Sequence, residues 1–389
     1  MRVPPAWDGP RTMNRKTKVH IDWLFYLLLI VLLAVVSVLV VELRSRSRLS
    51  ASPQVTQALV SDPIPVLAYY YIWYDTSSWD RAKVDVPTLG DYSSDDISVM
   101  RKHIQDAKAA GINGFIVSWK STDVLNSRLE KLAEVAQQEN FKLVIIYQGL
   151  DFYRNPLPVN QVANDLDVFI QQFASLPAFQ LYSKPLVIWS GTWKFSTQDI
   201  EQVAKSHRDK LLLLASERTL QGFTRLANLV DGNAYYWSSV NPATYPGYQE
   251  KLDQMGQLVH ENKGLWIAPA APGFDARLIG GTTVVNRNSG DTFRTEINTA
   301  MASSPDALGI ISWNEFSENS YIEPSQKYGT QYLDILSQTL NTPGPKIVEF
   351  DSSIPDRTFN EIIPGSRLVA LGGLGGLILV SLVIIILRR

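Results

Sequence analysis

The stretch SSDDISVMRKHIQDAKAAGINGFIVSW, residues 93–119, places a helical pattern directly before an apolar strand pattern. Ser94 is a suitable N-cap, Asp95 and Asp96 fall in the first helical turn, and Gly111 is suited to end the helix. The run GFIVSW that closes the stretch is short and nearly continuously apolar, as in a buried parallel strand. This stretch therefore predicts a helix followed by a strand of a parallel sheet.

The same alternation continues through the chain. Eight short apolar or aromatic runs are separated by longer amphipathic stretches: VLAYYYIW (66–73), GFIVSW (114–119), LVIIYQG (143–149), PLVIWSG (185–191), LLLLAS (211–216), NAYYW (233–237), LWIAPA (265–270) and GIISWNEF (309–316). Strand followed by helix eight times predicts a single α/β domain, a (β/α)8 TIM barrel over residues 65–341. A doubly wound open sheet is the main alternative, but no glycine-rich phosphate turn follows the first run.

Two uncharged apolar runs flank this body, at residues 23–41 and 368–387. Each is close to the ~20 residues that span a bilayer, so both predict transmembrane helices. A cleaved signal peptide is the alternative for the first run, but its core exceeds the usual ~7–15 residues and no small-residue cleavage site follows. A C-terminal sorting signal that is later removed is the alternative for the second.

Basic residues around these runs predict the orientation. Arginine and lysine are more frequent before the first run than after it, and Arg388 and Arg389 follow the second run. Both termini are therefore predicted to be cytoplasmic and the barrel extracytoplasmic, in an integral membrane protein. The remaining segments are a cytoplasmic N-terminal segment (1–22), a stalk (42–64), a linker (342–367) and a short tail (388–389). The oligomeric state is left open.

Composition and histidine positions exclude several kinds of chemistry. The chain has no cysteine, which removes disulfides, thiolate metal sites and cysteine nucleophiles. Its formal net charge of −2 and the lack of a basic stripe in the body argue against a nucleic-acid partner. The four histidines precede the first apolar run or fall in helical segments: His20, His103, His207 and His260. We therefore expect no histidine base or histidine-bound metal at the strand ends, and we predict no cofactor.

Tryptophan collects at the predicted strand ends. Five of the ten tryptophans lie there, and two more follow in the adjacent loops: Trp73, Trp119, Trp189, Trp237 and Trp313, then Trp79 and Trp193. A barrel's functional face is formed by the carboxyl ends of its strands. Flat apolar rings with N–H donors suit sugars, so we expect these side chains to line a glycan site. The alternative is that they pack beneath the loops.

Acidic residues also occur near the strand ends: Asp75, Asp123, Asp151, Glu217, Asp275, Glu315, Glu318 and Glu323. Glu315 and Glu318 form the one close pair in an aromatic, weakly charged setting, SWNEFSENSYIEP (312–324). Glycoside cleavage needs one protonated and one ionised carboxyl group, and an apolar wall can separate their pKa values. We expect Trp313 and Phe316 to form that wall.

The spacing of the pair imposes a geometric condition. We call the end of the barrel formed by the carboxyl ends of its strands the mouth. Residues three apart on a strand point to opposite faces, so both carboxylates face the mouth only if the chain turns between Phe316 and Glu318. The letters SEN permit such a turn. Glu323, before Pro324, is interpreted as a loop hydrogen-bonding residue. Asn314 is expected to bind substrate, and the alternative is that it only orients Glu315.

Four segments resemble glycoside hydrolase family 99: YYYIWYD, AKAAGINGFIVSW, APGFDARLIGGTTVVNRNSGDTFR and SWNEFSENSYIEP. The resemblance implies a (β/α)8 endo-α-mannosidase that cleaves inside α-mannose-containing glycans with retention. It implies that Glu315 is the base for the substrate's 2-hydroxyl and Glu318 the acid for the leaving oxygen. Tyr71 and Trp119 resemble the family's substrate-lining aromatics, and Tyr236 a tyrosine near the intermediate.

This chain departs from the family pattern at three places. Phe316 stands where tryptophan is usual, Ser317 and Asn319 replace histidine and glycine, and a second membrane span is atypical. The first two departures bear on sugar specificity. A glycan-binding or polysaccharide-assembly protein that kept the barrel without catalysis is the competing functional hypothesis.

Overall fold

The computed structural model describes residues 64–341. The predicted membrane helices, stalk, linker and tails lie outside these residues. Within residues 64–341, no helix is long and apolar enough to cross a bilayer.

Eight parallel strands form the central sheet. They are β1 (Val66–Tyr71), β2 (Gly114–Trp119), β3 (Lys142–Gln148), β4 (Leu186–Ser190), β5 (Leu212–Leu214), β6 (Gly232–Ala234), β7 (Leu265–Ala270) and β10 (Ala307–Ile310). The order is β5-β4-β3-β2-β1-β10-β7-β6. Ala215, just after β5, closes the ring by accepting from Ala234 N at 2.8 Å and donating to Gly232 O at 2.9 Å. The predicted (β/α)8 barrel is confirmed, and the open sheet is excluded.

One helix follows each barrel strand. They are α1 (Ile97–Ala109), α2 (Asp123–Gln138), α3 (Val159–Gln172), α4 (Thr197–His207), α5 (Leu220–Thr224), α6 (Tyr248–Glu261), α7 (Asp291–Ala302) and α8 (Gln331–Thr339). Between β7 and α7 the chain forms a short antiparallel hairpin of β8 (Phe274–Asp275) and β9 (Val284–Val285).

The N-cap of helix α1 lies two residues later than predicted. Asp96 is the N-cap of α1, because its carboxylate accepts from Ser98 N at 2.8 Å. Ser94 Oγ instead accepts from Tyr74 N at 3.1 Å, and Asp95 pairs with Arg128. Gly111 follows the helix with φ +86°, the left-handed conformation that glycine tolerates. The predicted end of the helix is thus confirmed, and the predicted cap is wrong.

Alternation along the strands divides the core into two layers. Leu67, Ile116, Val144 and Ile188 belong to the cluster inside the barrel, whereas their sequence neighbours pack outward under the helices. A strand's side chains alternate between two faces, so each residue's layer follows from its position relative to these four. We call a residue's side of its strand, inward or outward, its parity. Only strand-end residues of inward parity can face the mouth.

Two barrel strands end earlier than the sequence runs suggest. β10 stops at Ile310, although the apolar run extends to Phe316, and β6 stops at Ala234 rather than Trp237. The segment after β10 stays attached to β1 by irregular bonds, such as Trp313 N to Tyr69 O at 2.7 Å. The candidate carboxylates therefore lie on a loop beyond the strand.

Candidate active site

Residues 316–319 form a turn in the loop that follows β10. Asn319 has φ +50°, Asn319 N bonds Phe316 O at 3.4 Å, and Ser320 N bonds Glu315 O at 3.3 Å. Asparagine tolerates the left-handed region better than most residues, which explains how it can occupy a position where the family often has glycine. The chain turns where the sequence permits it.

The turn brings both candidate carboxylates toward the same two tyrosines. Tyr71 and Tyr236 share a hydrogen bond of 2.8 Å between their hydroxyl oxygens. Burial raises the pKa of both hydroxyls well above 10, and the charges of Glu315 and Glu318 raise it further. Both carboxylates therefore lie near enough to the two phenols for their charges to affect them. Tyr71 and Tyr236 are accordingly neutral groups that can donate a hydrogen bond at the mouth.

Glu315 and Glu318 differ in their surroundings. Glu315 is buried, and its Oε1 accepts from Ser317 N at 3.0 Å. Burial first, and then the charge of Glu318, raise the pKa of Glu315. Burial also raises the pKa of the half-buried Glu318, while the nearby Arg154 guanidinium lowers it. Two adjacent carboxyl groups with raised pKa values retain one proton between them into the neutral range.

A buried lysine lies close enough to influence Glu315. Lys83 is buried and donates from Nζ to Ser78 O at 2.9 Å. Burial lowers the pKa of Lys83 to about 8, and its charge favours ionised Glu315. Lys83 was not singled out in the sequence, because no local pattern marks it.

Main-chain and guanidinium contacts hold the turn at residues 316–319. Asp275 N on the β8–β9 hairpin donates to Glu318 O at 2.7 Å. Arg287 donates from Nη2 to Asn319 O at 3.0 Å and to Tyr321 O at 2.8 Å. Its guanidinium also lies 4.5 Å from the centre of the Tyr321 ring. These contacts explain the position of the hairpin next to the turn.

The predicted ring of tryptophans is largely wrong. Trp119, Trp189 and Trp313 are fully buried, and Trp237 is nearly so, in the layer outside the barrel strands. The first two have outward parity on β2 and β4, so their rings pack under helices instead of facing the mouth.

Of the five strand-end tryptophans, Trp73 alone is exposed, at 45 %. Its ring lies 4.4 Å from that of Tyr71, centre to centre. The two loop tryptophans also present no open ring face to a sugar. Trp79 is buried, and the Arg218 guanidinium lies 3.7 Å from the centre of the Trp193 ring.

The side chains that do face inward at the ends of three strands are polar, not aromatic. Ser118, Gln148 and Ser190 have the same parity as Ile116, Val144 and Ile188 on their strands. Gln148 Nε2 donates to Ser118 Oγ at 2.9 Å, across the β2–β3 pair. Sequence reasoning missed these residues, although the alternation was a sufficient signal.

The expected apolar wall beside the carboxyl pair also differs. Phe316 is fully buried and stacks on Tyr321 with ring centres 4.0 Å apart, while Trp79 meets its edge at 5.5 Å. The Trp313 ring lies 5.3 Å from Phe115 in the outer layer. Both rings are fully buried, so they pack beneath the surface and are not available to a sugar in this structure.

The other strand-end acids have local structural partners. Asp75 caps a short helix, Asp123 begins α2, Asp151 holds a loop at Asn155, Glu217 pairs with Arg225 at 2.8 Å, and Asp275 pairs with Arg277 at 2.6 Å. Within residues 64–341, no cluster of three acidic or histidine side chains is arranged to hold a metal ion. Glu315 and Glu318 therefore remain the candidate pair.

One histidine departs from expectation. His103 on α1 is fully buried, and its Nε2 lies 2.9 Å from Glu323 Oε1. The other two histidines of the barrel lie elsewhere: His207 bonds its own helix at Val203 O, and His260 pairs with Asp306 near the amino end of β10. His103 cannot touch a substrate from its buried position, but it does contact the segment that follows the turn at residues 316–319.

A parallel (β/α)8 barrel with two neighbouring carboxyl groups beyond its last strand is an arrangement compatible with glycoside cleavage. The sequence pattern of glycosyl hydrolase family 71 matches residues 86–338. The chain belongs to this family.

Curated relatives and solved structures agree with the resemblance to family 99. The chain is 24 % identical over 276 residues to rat glycoprotein endo-alpha-1,2-mannosidase, covering 64 % of this chain and 59 % of the relative. The corresponding Xenopus laevis protein is 23 % identical over 287 residues, covering 66 % and 62 %. This chain thus spans about three fifths of the length of these relatives.

The fold is similar to that of the family 99 endo-alpha-mannosidase from Bacteroides thetaiotaomicron. The TM-score is 0.64 at 20 % identity, covering 71 % of this chain and 96 % of that one. A solved glycoside hydrolase-like protein gives a TM-score of 0.54 at 17 % identity, covering 71 % and 94 %. The barrel therefore has the same fold as these two proteins.

Proposed function

We propose that this protein is a membrane-anchored retaining glycoside hydrolase that cleaves internal α-mannosidic or related α-glycosidic bonds. The observation that carries the proposal is a pair of neighbouring carboxyl groups, Glu315 and Glu318, on the loop after β10, whose charges affect each other and the hydrogen-bonded hydroxyls of Tyr71 and Tyr236. The names of the rat and Xenopus relatives support α-mannose as the sugar.

The proposed reaction uses the substrate's own 2-hydroxyl. Glu315 takes the proton of that hydroxyl, O2 attacks the anomeric carbon, and the bond to the leaving oxygen breaks as Glu318 protonates that oxygen. Water then opens the anhydro-sugar: Glu318 takes a proton from the water, and Glu315 returns its proton to O2. Two displacements at one carbon retain its configuration.

The charge state of the pair suits this division of labour. The reaction needs one proton on the pair, and mutual repulsion together with burial keeps one proton there. The buried Glu315 competes for that proton in the free enzyme. A hydrogen bond donated by the bound 2-hydroxyl favours ionised Glu315, which leaves the proton on Glu318.

Exposed aromatic side chains support a sugar-binding mouth. Within residues 64–341, the largely exposed aromatic side chains are Trp73, Phe152, Tyr153 and Tyr245. All four lie on loops that follow β1, β3 and β6, at the carboxyl end of the barrel. An aromatic face with a polar edge suits a sugar ring, so these loops are proposed to bind units on either side of the cleaved bond.

The membrane part of the proposal rests on the two uncharged runs at 23–41 and 368–387. The absence of cysteine makes its test simple, because each introduced cysteine is the sole labelling site. A membrane-impermeant maleimide applied to intact cells should label Gln257→Cys on α6 but label Thr12→Cys only after lysis. Labelling of both variants, or of Thr12→Cys alone, in intact cells would contradict the proposed orientation.

Hydrolysis by the full chain in detergent tests the activity. We expect α-mannan or α-linked manno-oligosaccharides to yield shorter oligosaccharides, with the α-configured product formed first by NMR. Glu217→Gln is the matched control for the same substitution at Glu315 or Glu318. Glu217 is also a buried strand-end carboxylate, but it pairs with Arg225. Saturable binding without any product would support the non-catalytic alternative and overturn the proposal.

A further inference from the structure

A buried chain of polar side chains connects helix α1 to the residue before Glu315. His103 Nε2 lies 2.9 Å from Glu323 Oε1, Tyr92 donates its hydroxyl proton to Glu323 Oε2 at 2.9 Å, and Asn314 Nδ2 donates to Tyr92 Oη at 3.3 Å. Tyr70 Oη completes the chain at 3.0 Å from His103 Nδ1. All five residues are buried. A polar chain of this length within a core is expensive to bury unless every member is satisfied.

One assignment of protons satisfies every group in the chain. Asn314 donates to Tyr92, Tyr92 donates to Glu323, and His103 donates from Nε2 to the other Glu323 oxygen. Tyr70 then donates to Nδ1 of the same ring. Glu323 thus accepts one hydrogen bond at each carboxylate oxygen, so it acts as the junction between the α1 side and the Tyr92 side.

The end of the chain at Asn314 is attached to the catalytic residues. Asn314 Oδ1 accepts from Tyr71 N at 2.9 Å, and Asn314 Nδ2 donates to Tyr71 O at 3.0 Å. The main-chain carbonyl of Asn314 accepts from the Tyr74 hydroxyl at 2.7 Å. Asn314 directly precedes Glu315, and Tyr71 bears one of the two mouth hydroxyls. A displacement of Asn314 therefore moves both groups.

We propose that Tyr92, Glu323 and His103 are positioning residues that fix Glu315 and Tyr71 through Asn314. None of the three contacts the mouth, so their effect is on geometry rather than on bond making. The proposal rests on the proposed function for its effect on turnover. Its structural part, the restraint of the turn, stands independently.

Hydrogen exchange tests the restraint without any substrate. The amides of Glu315, Phe316 and Ser317 are bonded within the segment, to Ser312 Oγ, Asn314 O and Glu315 Oε1 respectively. Tyr92→Phe in the full chain removes one buried hydroxyl, and we expect a peptide covering residues 312–318 to exchange about three- to tenfold faster. Unchanged exchange there would overturn the proposal.

Tyr147→Phe is the matched control for this measurement. The Tyr147 hydroxyl also donates to a buried carboxylate, that of Asp165 at 3.0 Å, but in the outer layer between β3 and α3. The Tyr147→Phe variant should lose a similar free energy of unfolding, while exchange at 312–318 stays at the wild-type rate. Acceleration at 312–318 in both variants would show a general loosening of the barrel and would also overturn the proposal.

Kinetics on a cleaved α-mannoside test the second part. We expect Tyr92→Phe to lower kcat by about tenfold or more, with KM changed less than about threefold, because remote misplacement mainly affects the transition state. His103→Gln keeps an N–H donor near the Nε2 position and should retain more of kcat than His103→Leu. His207→Gln, at the other buried histidine, should leave kcat near the wild-type value.

The outcomes separate this proposal from the proposed function. If the wild-type chain cleaves no α-glycan, the proposed function fails, and hydrogen exchange alone decides whether the chain restrains the turn. If exchange accelerates but kcat remains unchanged in a cleaving enzyme, the turn is restrained without consequence for catalysis, and the positioning role is overturned.

Discussion

The side-chain amide of Asn314 pairs with both main-chain polar groups of Tyr71, at 2.9 Å and 3.0 Å. A primary amide carries the same donor and acceptor as a peptide group, so Asn314 continues the β1–β10 ladder beyond the last residue of β10. The same arrangement recurs where the barrel closes. There Asn233 Oδ1 accepts from Glu217 N at 2.7 Å and Nδ2 donates to Glu217 O at 3.1 Å. Both asparagines are fully buried.

Replacing Asn314 with aspartate should impair both stability and turnover. The carboxylate accepts from Tyr71 N but cannot donate to Tyr71 O or to Tyr92. We expect the free energy of unfolding to fall by about 1–3 kcal/mol, the cost of buried polar groups left unpaired. Displacement of the adjacent Glu315 should lower kcat/KM by about 100-fold. Denaturant unfolding and initial rates on an α-mannoside measure the two effects.

Asn233→Asp is the control for that prediction. It removes the equivalent donor at Glu217, on the opposite side of the ring of strands, and should cost a similar free energy of unfolding. Its kcat/KM should remain within a few-fold of wild type. An equal loss of kcat/KM in both variants would show that Asn314 acts only on stability.

The two glutamates should respond differently to the leaving group. Glu318→Gln removes the proposed acid, so bond cleavage should slow by about 10² to 10⁴ on mannan, and less on an aryl α-mannoside whose leaving group needs no proton. Glu315→Gln removes the proposed base for the 2-hydroxyl, so both substrates should be affected equally. Single-turnover rates on the two substrates distinguish these cases. Selective recovery of Glu315→Gln on the aryl substrate would reverse the assigned roles.

The charge of Arg154 should lower the pH at which activity is lost on the alkaline side. Arg154 lowers the pKa of Glu318. In Arg154→Gln that pKa rises, the pair keeps its proton to higher pH, and the alkaline limb of the kcat/KM profile should move upward. Because Arg154 is exposed, the shift should be small and should shrink as salt is added.

Arg101→Gln is the control for this profile, since Arg101 pairs with Glu139 on the helical surface between α1 and α2. It should leave the alkaline limb unchanged at every salt concentration. A downward shift in Arg154→Gln would show that the limb reports a group other than the glutamate pair.

The sequence was sufficient to predict the barrel and the turn after Phe316, because both depend on local patterns. Eight apolar runs identify eight strands, and the letters SEN after Phe316 allow the turn that unites Glu315 and Glu318. Trp119 was wrongly predicted to line the mouth, because its place at a strand end was considered but the outward direction of its side chain was not. Phe115, Val117 and Trp119 share one face of β2, and Ser118 lies on the other.

Other parts of the site depend on contacts between distant residues. His103 and Glu323 are 220 positions apart, and Asn314 and Tyr71 are 243 apart. No periodicity in a single sequence connects such pairs, since barrel closure brings them together. The helix start was also ambiguous, because Ser94, Asp95 and Asp96 are all able to cap, and tertiary contacts occupy the first two.

The buried carboxyl group of Glu296 should make the stability of the barrel pH-dependent. Glu296 on α7 is fully buried, and its Oε2 accepts from Ala271 N at 2.6 Å, just after β7. The Tyr248 hydroxyl faces it, but within residues 64–341 neither that hydroxyl nor Glu296 Oε1 has a hydrogen-bond partner of normal geometry. Burial raises the pKa of Glu296 well above its ordinary value.

The direction of the pH effect follows from that raised pKa. The folded state retains a proton that the unfolded chain releases above the ordinary glutamate pKa, so the free energy of unfolding declines from there up to the folded pKa. Glu296→Gln keeps the acceptor for Ala271 and cannot ionise. Relative to wild type, it should gain about 1 kcal/mol or more in free energy of unfolding between about pH 5 and about pH 8. Urea unfolding at both pH values measures this, and Glu250→Gln, an exposed carboxylate on α6, should show no such gain. A constant difference between Glu296→Gln and wild type would mean that Glu296 is ionised in the folded barrel.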